Sequence, residues 1–126
     1  MKILLVGLAG FVGTLCRYWL AGALARRYGE ALPWGTLAVN VAGCFLAGLL
    51  FFTLRERFAA GETAQAVVLV GLLGGFTTFS AYGLQTFTLL RNGEFAYAAL
   101  NVAASNLLGL LMVWAGYALA KLLGGV

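Results

Sequence analysis

The chain has 126 residues, of which 63% are hydrophobic and 10% charged, with no histidine and a formal net charge of +4. A water-soluble domain carries about a quarter charged residues, so this chain cannot clothe a water-facing surface; it reads as one all-α integral membrane domain over residues 1–126, without room for a second. The eight basic residues stand singly or in pairs along apolar sequence, which makes no phosphate-tracking stripe and excludes a nucleic-acid partner.

A membrane-spanning helix needs about 20 mostly apolar residues, and four such segments are expected, at about 3–25, 33–54, 64–90 and 95–121. The opening MKILLVGLAG imitates a signal peptide. Arg17 interrupts the apolar run, however, and the chain beyond is equally apolar, so the segment is expected to be retained. Gly7, Gly10, Gly13 and Arg17 share one face of this first helix, and small faces let membrane helices approach closely. Arg17 is the one ionisable side chain inside a span. Such a group either marks function or snorkels to an interface; about 21 Å of helix precedes it from Ile3, so an anion-attracting vestibule residue and a snorkelling anchor both fit.

Pro33, the only proline, stands where the second span begins, as helix entry prefers. GTLAVNVAGCFLAG then places Thr36, Asn40, Gly43 and Ala47 on one side. A buried amide such as Asn40 requires partners for donors and acceptors alike, as interhelical glue or as pathway lining. Cys16 and Cys44 fall in apolar stretches and read as small packing residues, with neither a disulfide nor a zinc spacing.

The third span contains GGFTTFSAYG, residues 74–83. Gly74 and Gly75 are expected to break the helix, with Thr77, Thr78 and Ser80 satisfying the freed backbone groups. Non-helical backbone at membrane depth survives only where protein buries it or a water-filled cavity touches it. Such a break bares carbonyls, which suit a cation, and amides, which suit an anion. Beyond it Phe79, Tyr82 and Thr86 share a face, and aromatic edges carry the positive side of the ring quadrupole. In the fourth span Asn101, Ser105 and Gly109 form a small, partly polar stripe. Ser105 has the alternative of bonding back to its own helix, and Asn106 points away from the stripe, toward packing or a dimer contact.

Lys2, Arg55, Arg57 and Lys121 flank one side of the membrane and Arg26, Arg27 and Arg91 the other, almost no bias by the positive-inside rule. Insertion both ways up, and an antiparallel homodimer, are compatible with that balance. Four short helices cannot readily enclose a pathway, so permeation favours an oligomer. Aspartate is absent, and Glu30, Glu56, Glu62 and Glu94 all lie in connections; no catalytic set assembles in the membrane, so no enzyme is expected. A proton-coupled pump is disfavoured for the same lack of a titratable group in the spans.

GLAGFVGTLCRY, GTLAVNVAGCFLAG and GGFTTFSAYG, in this order over four spans, resemble the CrcB/Fluc fluoride channels across essentially the whole chain. The resemblance implies a dual-topology homodimer in the bacterial inner membrane, multi-pass and surrounded by lipid, that exports fluoride passively through two antiparallel pathways. It implies a structural sodium ion at the dimer centre, held by the backbone carbonyls of Gly74 and Thr77. It also implies an anion pathway of Phe79, Tyr82, Asn40, Asn101 and Ser105, with Arg17 as the motif arginine. The chain departs from the family's TTFSTFS and following glutamate: it reads TTFSAYGLQ, with Tyr82 for a phenylalanine and Gln85 for the glutamate. Asn101 and Gly109 stand where some members have tyrosine and serine. The alternative is a small dual-topology transporter of the multidrug-exporter type, which uses a glutamate in its first span; this chain has none there.

Overall fold

The computed structural model describes residues 1–124, as four membrane-length helical spans, Lys2–Tyr28, Trp34–Arg57, Glu62–Arg91 and Phe95–Gly124. Each runs a few residues past the apolar stretch that anticipates it, because the backbone hydrogen bonds of a helix in lipid continue until water can replace them.

The first span is one unbroken helix, α1 (Lys2–Tyr28). It stops at Gly29, whose φ of 78° lies in the left-handed region and whose N–H caps the Ala25 carbonyl at 3.0 Å. Pro33 then starts α2 (Trp34–Phe51), which ends in a π-helical turn, Phe52–Arg57. The third span opens with α3 (Glu62–Gln65), widens into π-helix over Ala66–Leu72, and regains α geometry as α4 (Leu73–Phe76). After Thr77 and Thr78 it resumes as α5 (Phe79–Arg91). A turn at Asn92–Gly93 (φ 79° at Gly93), with Glu94 N–H on the Leu89 carbonyl at 2.9 Å, leads into α6 (Phe95–Gly124).

The packing inverts the rule for soluble proteins. Large apolar side chains such as Leu4, Phe11, Leu107 and Leu110 face outward, whereas glycines lie at the helix contacts. Lipid is as apolar as leucine, so close backbone approach has to hold the helices together. A methyl on Gly13 would overlap the Leu72 carbonyl, and one on Gly75 the Gly10 carbonyl, which locks the first span against the third. Methyls on Gly48 and Gly116 would likewise strike the Val113 and Phe45 carbonyls, locking the second span against the fourth. Val39, fully buried, and Phe52, Leu73 and Ala98 fill the remaining interior.

At the membrane edges Arg55 and Arg57 lie over the rings of Phe51 and Phe58, 5.5 and 5.3 Å from the centroids, and Arg27 lies 5.8 Å over Tyr28. Arginine on an aromatic ring suits the interface, where one end of the pair is wet. The Tyr117 hydroxyl donates to Glu56 at 3.0 Å and ties the end of α6 to the second connection. Both cysteines are free.

One expectation is corrected. The third helix does break near its middle, but not at Gly74 and Gly75, which lie inside α4. The extended residues are Thr77 (φ −87°, ψ 159°) and Thr78 (φ −150°, ψ 112°). Gly75 is glycine because the backbone of α1 packs directly on it. The low helix propensity of glycine is measured in water; in lipid an unsatisfied peptide costs several kcal/mol, and the glycines stay coiled.

Candidate functional site

The two extended threonines disconnect their peptide groups from the helix, and each freed group that is satisfied has a named partner. The Asn40 side chain takes both polar groups of Thr78: its Oδ1 accepts from Thr78 N–H at 2.7 Å, and its Nδ2 donates to Thr78 C=O at 2.9 Å. This reciprocal pair fixes the amide orientation without ambiguity, since a flipped amide would set like against like. The Thr78 hydroxyl accepts from Ala81 N–H at 3.2 Å, capping α5. Thr77 Oγ1 instead bonds back to the Leu73 carbonyl at 2.9 Å, and its methyl fills the space beside Gly43.

Arg17 extends from α1 to the same place. Its Nε donates to the Gly75 carbonyl at 3.0 Å, and the side chain is half-buried at the end of a groove. It is neither a free surface anchor nor unattached: one N–H holds the broken strand and the rest of the guanidinium faces the groove. Outside the helical ladders, the carbonyls of Gly74, Phe76 and Thr77 at the break accept no hydrogen bond among the described residues.

Two grooves approach the break from opposite ends. The first, about 800 Å³, is lined by Arg17, Thr36, Gln85 and Thr88, with Glu30 and Glu94 at its mouth. The second, about 920 Å³, is lined by Asn40, Thr77, Phe79, Tyr82, Ser105 and Asn106 among others. Thr78 borders both and separates them.

Phe79 and Tyr82 stand ring to ring on the second groove, centroids 5.4 Å apart and planes tilted by 47°. Phe79 is 83% exposed, so a large aromatic surface is left open beside the break. The fourth span reaches it from behind: Asn101, 2% exposed, donates through Nδ2 to Thr86 Oγ1 at 2.9 Å. Ser105 Oγ lies 3.5 Å from Asn101 Oδ1, at the outer limit of a hydrogen bond. Asn40, Phe79, Tyr82 and Ser105 thus share one groove, Arg17 lies on the other, and Asn101 supports the aromatic helix from within.

Three participants were not singled out by their spacing. Thr78 is the septum between the grooves. Gln85 lines the first groove with a buried Oε1 that has no partner among the described residues. Asn106 points away from the Asn101 stripe as expected, yet it reaches the Tyr82 hydroxyl at 3.3 Å. Each had an advance signal of another kind: Thr78 as a hydroxyl at the expected break, Asn106 as an amide off the polar stripe, and Gln85 as a departure from the family's motif.

The assembly has neutral hydrogen-bond donors, aromatic edges and a single guanidinium around an interrupted helix. Among the described residues no group of three or more metal-binding side chains gathers. Such a set can replace the hydration of a small anion in a confined space, and it contains no nucleophile–base pair for covalent chemistry.

The family described as CrcB-like protein, Camphor Resistance (CrcB), matches residues 4–117. A fluoride-specific ion channel FluC of Opitutus terrae is 46% identical over 117 residues, covering 90% of this chain and 88% of its own length. The FluC of Magnetococcus marinus is 42% identical over 123 residues, covering 98% of this chain and 100% of its own length. That of Geobacter sulfurreducens is 46% identical over 119 residues, with coverages of 94% and 96%.

Proposed function

The chain belongs to the CrcB family, and on that premise we propose that it is a fluoride-selective channel of the plasma membrane that lets fluoride leave the cytoplasm down its gradient. It is a multi-pass membrane protein with four spans. The observation that carries the proposal is the interrupted third helix: Asn40 holds Thr78 open, and the aromatic pair stands beside the bared backbone. A small anion loses its water gradually there, to hydroxyl and amide donors and to the positive ring edges. Neutral dipoles bind the ion enough to admit it and weakly enough to release it. The function requires no covalent step, so the protein acts without being an enzyme.

The working unit we infer is an antiparallel homodimer. Three features support it: the near-balanced flanking charges, the open Phe79 ring, and the polar Asn106 on an outward face. A polar amide facing hydrocarbon is costly, and an inverted copy covering the second groove removes that cost. The Gly74 and Thr77 carbonyls would suit a sodium ion as hard oxygen donors, and an inverted copy would offer the same pair again. Bound there, sodium would supply positive charge that holds the two broken helices together; Arg17 and Asn40 meanwhile keep the neighbouring peptides from turning away.

The test is efflux from liposomes containing the purified protein, with fluoride and chloride compared. Fluoride is expected to leave without a proton gradient, and chloride to stay. Equal chloride flux, or a strict need for a proton gradient, overturns the channel. Cysteine crosslinking across the Phe79 face tests the dimer, which fails if only same-way-up copies are captured.

A further inference from the structure

Tyr82 is where this chain adds a polar atom to the aromatic pair, and the structure fixes what that atom does. Asn106 Nδ2 donates to the Val102 carbonyl, one turn back on α6, at 2.8 Å. That bond settles the amide orientation, because the opposite flip would place two carbonyl oxygens against each other. The same Nδ2 therefore also presents N–H, not C=O, to the Tyr82 oxygen 3.3 Å away. The phenol oxygen is the acceptor in this bond, so its own proton points elsewhere. That O–H donates to no partner among the described residues, and Tyr82 lines the second groove with Phe79, Asn40 and Ser105.

We propose that Asn106 is a positioning residue that turns the Tyr82 hydroxyl proton into the groove, where it serves as a further hydrogen-bond donor to the conducted anion. The inference rests on the fluoride reading above and deepens it. A phenylalanine at this position offers only a ring edge. The tyrosine offers an O–H whose acceptor side is already occupied, and an unspent donor in a low-dielectric setting favours an occupant that accepts. Fluoride, compact and strongly accepting, gains more from that donor than chloride does, so the pair raises fluoride affinity and selectivity together.

The test uses the full-length protein in liposomes and in detergent. Tyr82→Phe is expected to raise the half-saturating fluoride concentration about tenfold, the loss of one hydrogen bond to a charged partner, with little change for chloride. Asn106→Leu is expected to raise it in the same direction, and the double variant to add nothing to Tyr82→Phe. If Asn106→Leu costs as much in the Tyr82→Phe background as alone, Asn106 acts by some other route and the inference fails. Infrared difference spectra against Tyr82→Phe isolate the Tyr82 C–O band, which distinguishes an accepting from an accepting-and-donating phenol. Added fluoride should convert the first to the second and chloride should not. Absence of fluoride flux in the unmodified protein overturns the channel reading, whereas an unmoved Tyr82 band overturns the hydroxyl role even where flux is normal.

Discussion

Replacing Asn40 with alanine removes both bonds that hold Thr78 open, at 2.7 and 2.9 Å. Thr78 is only 9% exposed, so its N–H and C=O lose their partners in a largely enclosed position. An unsatisfied buried group costs about 1–3 kcal/mol, or about 2–6 kcal/mol for the two. Interhelical hydrogen bonds in membranes fall at the lower end, at about 0.6–2 kcal/mol each, because alternative partners are found. Thr78 borders both grooves, from which water can reach it, and this also favours the lower end. The expected destabilisation is therefore about 2–3 kcal/mol, roughly 30- to 150-fold in the folding equilibrium. Thr88→Ala is the control: its hydroxyl only backs onto the Leu84 carbonyl of its own helix, at 2.9 Å, and its loss should cost under about 0.5 kcal/mol. Unfolding in mixed micelles titrated with a denaturing detergent, followed by far-ultraviolet circular dichroism, reads both. Should Asn40→Ala lie within about 0.5 kcal/mol of Thr88→Ala, the clasp contributes nothing and the account of the break is wrong.

Gly75→Ala should cost about 1–3 kcal/mol or prevent folding, since the methyl meets the Gly10 backbone, while Gly7→Ala, with open space around it, should be nearly neutral; expression and melting of the two variants compare them. Ala59 has φ 46°, a left-handed conformation that costs an L-residue about 1 kcal/mol, so Ala59→Gly should stabilise by up to that amount in the same unfolding assay. Arg17→Lys keeps the charge but loses the Nε geometry at Gly75, and should lower fluoride flux less than Arg17→Leu, which loses both; equal flux in the two variants would assign the whole effect to the hydrogen bond. Replacing sodium with a large organic cation on both sides should reduce fluoride flux, and Thr77→Ser should leave the sodium dependence intact because the proposed ligand is a carbonyl.

The four spans were legible because lipid demands continuous apolar sequence, and hydropathy alone marks where it begins and ends. Asn40 was legible as a residue in need of partners. The partners themselves were not, since Thr78 lies 38 positions away and only the packing of the second span on the third brings them together. The break was recognisable within GGFTTFSAYG but was displaced by three residues: glycine's weakness in water attracts attention, while the operative cause is a pair of threonines with a side chain from another helix waiting for them. Gly74 and Gly75 look alike in sequence, yet only Gly75 meets the backbone of α1. Asn106 stood off the polar stripe and had no periodic signal, because its function depends on the phenol of another helix, 24 positions earlier.

Apart from Gly35, which packs on the Ala21 backbone of the first span, the tight glycine-to-backbone contacts join the first span to the third and the second to the fourth. During synthesis the first helix must therefore wait in the bilayer, its small-residue face unmatched, until the ribosome has delivered the third. The second waits similarly for the fourth. No hairpin of consecutive helices is a self-sufficient assembly unit, so a nascent chain halted after two spans should remain loose and open to quality-control proteases, and a gene split in the middle should yield halves that are stable only when produced together.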